Sequence, residues 1–195
     1  MFIAKARLFM LLAALLPSQV ACGQTPANRD DAKSSPTPVS SAATRQKSYP
    51  NLKEQAERWA EAYVREDYEK VASLTLPKQV ELMGGSEGMA RILTRSLEGG
   101  GVKMLSIQVG EPEEVIPIER QLFAIVPTTL KMREPRGVVV GNGFLIGVSN
   151  DGGETWTFVD GSGGRNEEKV KTLLPAAAGK LKLPELKPLV LETKP

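Results

Sequence analysis

The spacing of apolar and polar positions changes its period along this chain, and the change predicts the order of its elements. Leu52, Ala56, Trp59 and Tyr63 recur at helical spacing with Lys53, Glu54, Glu57 and Glu61 turned elsewhere, predicting a helix opened by Pro50-Asn51. Glu66-Asp67 interrupts it, and Asp67 is a candidate N-cap for a second helix with Tyr68, Val71, Ala72 and Leu74 on its buried side. Pro77 ends or restarts that helix. After the Gly84-Gly85 turn, Ser86 is placed to cap a third helix, with Met89, Ile92, Leu93 and Leu97 inward, until Gly99-Gly100-Gly101 breaks it.

Past those glycines the period is that of strands. Lys103 to Gly110 alternates, Glu111-Pro112-Glu113-Glu114 turns the chain, and Arg120 to Met132 reads as the next strand. Pro127 cannot donate to a ladder, so a bulge or a sheet edge is expected there. Arg133 to Gly137 is a polar connection, Val138 to Val148 a third strand kinked at Gly141-Asn142-Gly143, and Thr155 to Val159 a fourth. Glu167 to Leu174 reads as a short closing helix and Pro175 onward as an extended tail rich in Lys and Pro. Helices followed by a meander predict the α+β class: N-terminal helices packed on a curved antiparallel four-stranded sheet, then a short C-terminal helix.

The strongest local signal is Phe144 to Gly161, two strand-like runs about a turn of Asn150, Asp151, Gly152 and Gly153. Ser149, Asp151, Gly153, Thr155 and Trp156 resemble the Ser-x-Asp-x-Gly-x-Thr-Trp pattern of the Asp-box hairpin. Propellers with that motif carry a copy in each blade, and this chain has a single copy, so the reading is a folding device and not a glycosidase.

Ahead of the helices lie segments of another kind. Met1 to Arg7 carries two positive charges, and Leu8 to Leu16 is an apolar run stopped by Pro17, shorter than the ~20 residues a spanning helix needs. This predicts a signal peptide over 1–22 and export from the cytoplasm. Ala21-Cys22-Gly23 resembles the lipobox of bacterial lipoproteins, which implies lipid attachment at Cys22 and a periplasmic or outer-membrane-anchored protein held by membrane lipid. Cleavage after Gly23, giving a soluble secreted protein, is the alternative. Residues 23–49, dominated by Ser, Thr, Pro and Ala, predict a flexible linker. The domain is then expected over 50–175 and the tail over 176–195.

Composition narrows the chemistry. The 195 residues are 41% apolar, enough for one domain with a true core. The absence of His removes the usual general base and the commonest zinc ligand, and the single Cys removes intrachain disulfides and thiolate clusters. No metal or cofactor is called for. With Lys5 and Arg7 set aside from the 25 basic residues, 23 face 23 acidic ones, so nucleic acid is not an expected partner. Glu57/Glu61 and Glu167/Glu168 read as solvated helix faces.

Trp59-Ala-Glu-Ala-Tyr63, Arg65-Glu66-Asp67-Tyr68, the Gly84-Gly85 turn and the strands around Trp156 together resemble the nuclear-transport-factor-2-like (SnoaL-like) superfamily over roughly Asn51 to Gly161. The resemblance implies a cone-like fold whose pocket lies between helix and sheet. Its enzymatic branches isomerise, dehydrate or cyclise small apolar molecules. The steroid-isomerase branch has a Tyr donor where this chain has Trp59, and an Asp base where it has Leu82 beside Glu81, so no catalytic residue is assigned. Tyr63 can stand in for the donor, or be core. The expected role is therefore non-catalytic, with Trp59, Tyr63, Phe123, Phe144 and Phe158 lining a site for a small apolar ligand, or with a protein partner on the open sheet face. An isomerase-like enzyme and a structural assembly or homodimerisation module are the alternatives.

Overall fold

A prolyl ring at the first helical position opens α1, Pro50–Val64, where φ is already set and no N–H is lost. Leu52, Ala56, Trp59 and Ala60 form its buried stripe. The structure, a computed structural model, describes residues 49–162 and 166–192. The expected signal peptide, Cys22 and the linker up to residue 48 lie outside the described residues. Glu66, at φ 61°, reverses the chain after α1, and Asp67 caps α2, Tyr68–Leu74, by accepting from Lys70 N at 3.1 Å, as expected. Pro77 restarts the chain as a separate helix, α3, Pro77–Leu82.

Two expectations for the next helix, α4 (Gly85–Gly99), do not hold. Its N-cap is Gly84, in the left-handed region, and no side chain caps it, so Ser86 has no such role. Ile92 is 46% exposed, whereas Met89 is buried. The reason lies at Gly88: a Cβ there would come within 2.1 Å of the Met83 carbonyl oxygen. That close seat on the end of α3 fixes the rotation of α4, and only Met89 and Leu93 then reach the core.

The strands form one curled antiparallel sheet, a half-barrel. Its strands are β1 (Lys103–Val109), β2 (Ile116–Ile118), β3 (Gln121–Glu134), β4 (Gly137–Ser149), β5 (Thr157–Asp160) and β6 (Val190–Leu191). The order is β1-β3-β4-β5, with β2 beside the start of β3 and β6 beside β4. The expected four strands are present and two short ones join them. The long β3–β4 hairpin runs in unbroken register from Leu122 opposite Ser149 to Glu134 opposite Gly137. Pro127 keeps its place in that register, and its carbonyl accepts from Gly110 N at 2.8 Å just beyond β1. The proline therefore sits at an edge position between β1 and β2, and the bulge is in β1 instead, between Met104 and Ser106.

Both faces of the hairpin centre are covered, which accounts for the unbroken burial from Gly143 to Ser149. On one face Ala124, Val126, Leu145 and Phe158 pack with Leu52, Ala56 and Trp59 of α1 and with Val71 of α2. On the other, Phe123, Ile125, Phe144, Ile146 and Val148 pack beneath Val170 and Leu173 of α5, Asn166–Leu173, and beneath Leu174 and Ala177. That second face is not the open one expected from the residues: it is covered because the tail continues the apolar layer. Leu181, Leu183 and Leu186 pack against it, and the Asn142 side chain donates to Glu185 O at 3.0 Å and accepts from Lys187 N at 2.8 Å. After the short 3-10 turn at Pro175–Ala177, the described part of the tail is docked on the sheet.

Candidate functional site

The candidate residues divide between the two faces. Trp59 and Tyr63, one turn apart on α1, stack at 5.2 Å and line a small cavity with Met104, Thr128, Leu130, Leu145, Asp160 and Ser162. Phe158 is on the same face but fully buried with Leu52 and Trp156 around Gly147, and does not line that cavity. Phe123 and Phe144 are buried on the opposite face. The five aromatic residues therefore do not form one lining, because successive strand residues point to opposite sides. In each strand the even or odd set decides the face, and a list of aromatics does not.

The cavity measures about 20 Å³, room for about one water molecule. Trp59 is satisfied: its indole N–H donates to Thr75 Oγ1 at 3.1 Å, and that hydroxyl donates to Val71 O at 2.8 Å. Asp160 Oδ1 accepts from Ser162 N at 2.8 Å and Ser162 Oγ at 2.7 Å. Burial first, then the charge of Asp160 and the neighbouring Tyr68, pushes the Tyr63 hydroxyl above its ordinary range, so it stays protonated. A hydroxyl held in that state does not serve as a base. Asp160 and Ser162 escaped the sequence reading; the Asp-x-Ser spacing is the only signal they leave.

A larger trough lies outside, between α1 and β1, with a volume of about 290 Å³. Ala60, Val64, Leu105, Ile107 and Val109 give it an apolar floor, and Glu57, Glu61 and Arg65 a charged rim. The β1 bulge follows Met104 and brings Leu105 to the trough beside Ser106. Among the described residues no three His, Cys, Asp or Glu side chains gather to hold a metal ion, and no helix is long and apolar enough to cross a membrane.

The Asp151 corner is built as a fastening. Asp151 Oδ1 accepts from Glu154 N at 3.1 Å and Thr155 N at 3.0 Å, Oδ2 accepts from Thr155 Oγ1 at 2.5 Å, and Ser149 Oγ donates to Oδ1 at 2.8 Å. Ser149 Oγ also accepts from Gly153 N at 2.9 Å, and Trp156 Nε1 donates to Gly153 O at 3.2 Å. Gly153 is required twice over: its φ is 99°, and a Cβ would lie 2.2 Å from the Tyr49 ring. Helix α1 is stitched to this corner. Asn51 Nδ2 donates to Gly153 O and Glu154 O at 2.8 and 2.7 Å, and Gln55 Oε1 accepts from Trp156 N at 2.9 Å. Asn51 and Gln55 are four residues apart, a polar pair on one helix face that the sequence alone gives no reason to separate from solvent-facing positions.

These hydrogen bonds, led by those of the Thr155 hydroxyl and N–H, hold the Asp151 carboxyl well below the usual carboxylate range. A depressed carboxyl contributes stability that is fully present above its unfolded value, about 3.9, and is lost as pH falls through the folded one. Urea midpoints measured from neutral pH downward are therefore expected to fall more steeply below about pH 4 in the wild type than in Asp151→Asn. Parallel acid limbs in the two proteins would show that the corner does not depend on that charge.

Compared with protein-family models, curated proteins and solved structures, the chain matches none of them, and its function has to be read from its own geometry.

Proposed function

We propose that this chain is an exported, lipid-anchored, non-catalytic module of the bacterial cell envelope that works by binding a protein partner. Its fold in this reading is the cone-like form of the nuclear-transport-factor-2-like superfamily, with α1 laid across the curl of the sheet. Export and anchoring are supported by the charged, apolar and small-residue order of residues 1–22 and by the lone Cys22.

One observation carries the choice of partner over small molecule: the inner cavity beside Trp59 and Tyr63 is closed down to about 20 Å³. Small-molecule pockets run to roughly 300–1,000 Å³, so an apolar ligand has no room beside Trp59 and Tyr63. Isomerase or dehydratase chemistry needs a substrate-sized opening next to its acid and base, whereas Tyr63 and Asp160 share a space for about one water. The test is a titration of the purified protein with a panel of apolar small molecules, followed by tryptophan fluorescence and thermal shift. No saturable change is expected. A saturable quench of Trp59 that Trp59→Phe removes would replace this reading with ligand binding. Mass spectrometry of the mature protein is expected to find a lipidated Cys22 at the N-terminus, and an unmodified chain beginning at Gln24 would remove the anchor.

A further inference from the structure

Strand β1 pairs only with β3, so its other side has no strand partner among the described residues. Counting back from Gly110, whose N–H points to Pro127, the backbone groups of Val109 and Ile107 face outward. Beside this free edge lies the trough, floored by half-buried Val64 of α1 and Leu105, Ile107 and Val109 of β1, with Ala60 buried beneath them. An unpaired edge next to an apolar trough is the arrangement that strand addition uses, main-chain bonds giving affinity and the trough accepting alternate side chains.

Charge indicates what kind of strand. Glu57 and Glu61 stand on the α1 rim, and Glu111, Glu113 and Glu114 follow directly on the end of β1. Two cations of α1 are already engaged: Lys53 pairs with Glu111, and Arg65, itself on the rim, pairs with Glu61 at 2.6 Å. Glu57 and Glu61 against Arg65 leave the lining with a net charge of −1. We propose that the trough between α1 and β1 receives an extended segment of the protein partner with alternating apolar and basic residues, which adds a strand to the outer edge of β1. The proposal rests on the partner-binding reading above and names the chemistry of that partner. Apolar side chains on one side of the added strand fill the trough, and Lys or Arg side chains reach Glu57, Glu113 and Glu114.

The test uses the mature protein and a fluorescein-labelled hexapeptide of alternating Lys and Leu, with binding followed by anisotropy at low and moderate salt. Saturable binding that weakens with salt is expected. N-methylation of alternate amides, which removes the pairing donors, is expected to weaken it about tenfold. Leu105→Glu is expected to abolish it, and Glu57→Gln with Glu61→Gln to weaken it severalfold, all with unchanged thermal unfolding. The proposal is overturned by equal binding of a Glu/Leu peptide, by indifference to N-methylation, or by no binding at all. It is also overturned if the protein dimerises and Leu105→Glu makes it monomeric, since a second copy would then be the occupant. A protein that takes neither peptide nor apolar small molecule loses this proposal and keeps the non-catalytic reading; a saturable apolar ligand in the interior removes that reading whatever the peptides do.

Discussion

Trp156→Ala is expected to destabilise the domain by about 3–5 kcal/mol, a large share of the ~5–15 kcal/mol available to an ordinary domain. Trp156 is 1% exposed, meets Tyr49 edge-on at 5.8 Å and donates its indole N–H to Gly153 O. Its removal opens a cavity where the Asp151 corner, the end of β4 and the start of α1 come together. The corner cannot collapse into that space, because the Asp151 and Ser149 bonds hold its backbone in place. Urea unfolding checks this: with a slope near 2 kcal/mol/M, the midpoint should fall by about 2 M with the slope unchanged. Trp156→Phe keeps most of the apolar contact but not the N–H, so it should lie between the two. A midpoint shift under about 0.5 M for the alanine variant would mean the corner is a surface ornament and not the fastening of α1.

Phe144→Ala should cost a similar ~3–5 kcal/mol while leaving the α1 face undisturbed. Phe144 is fully buried and lies so close to Gly161 that a Cβ there would come within 2.3 Å of its ring. Its cluster is the one under α5 and the tail, whereas Trp59 and Trp156 belong to the cluster under α1. The variant should therefore unfold at lower urea and yet keep the wild-type tryptophan emission under native conditions. Hydrogen exchange should accelerate first in α5. A shifted emission maximum in the folded variant would show that the two layers are not independent, and would return Phe144 to the surroundings of the Trp59 cavity.

Several features of the candidate site are legible in the residues alone. The Asp151 turn could be read because its chemistry is local: each donor to Asp151 lies within four residues of it. The cap at Asp67 and the restart at Pro77 are local for the same reason. The mis-oriented Ile92 was not legible, since periodicity gives a stripe and the seat of Gly88 on Met83 chooses which edge of it is buried. Nor was the separation of Phe123 and Phe144 from Trp59, which depends on strand register between residues far apart in the chain, Phe123 opposite Val148 and Phe144 opposite Pro127.

The residues by themselves determined the α+β order, the reversal at Asp151 and the lack of His or thiolate chemistry, because capping, turn geometry and composition act over a few neighbours. Tertiary structure alone decided that the tail seals the second face of the sheet, that the interior closes to the size of a water, and that β1, among the described residues, has a trough and no strand on its outer side. Those outcomes are set by which distant surfaces meet, and the energy of that meeting comes from packing and desolvation that no short window of sequence contains.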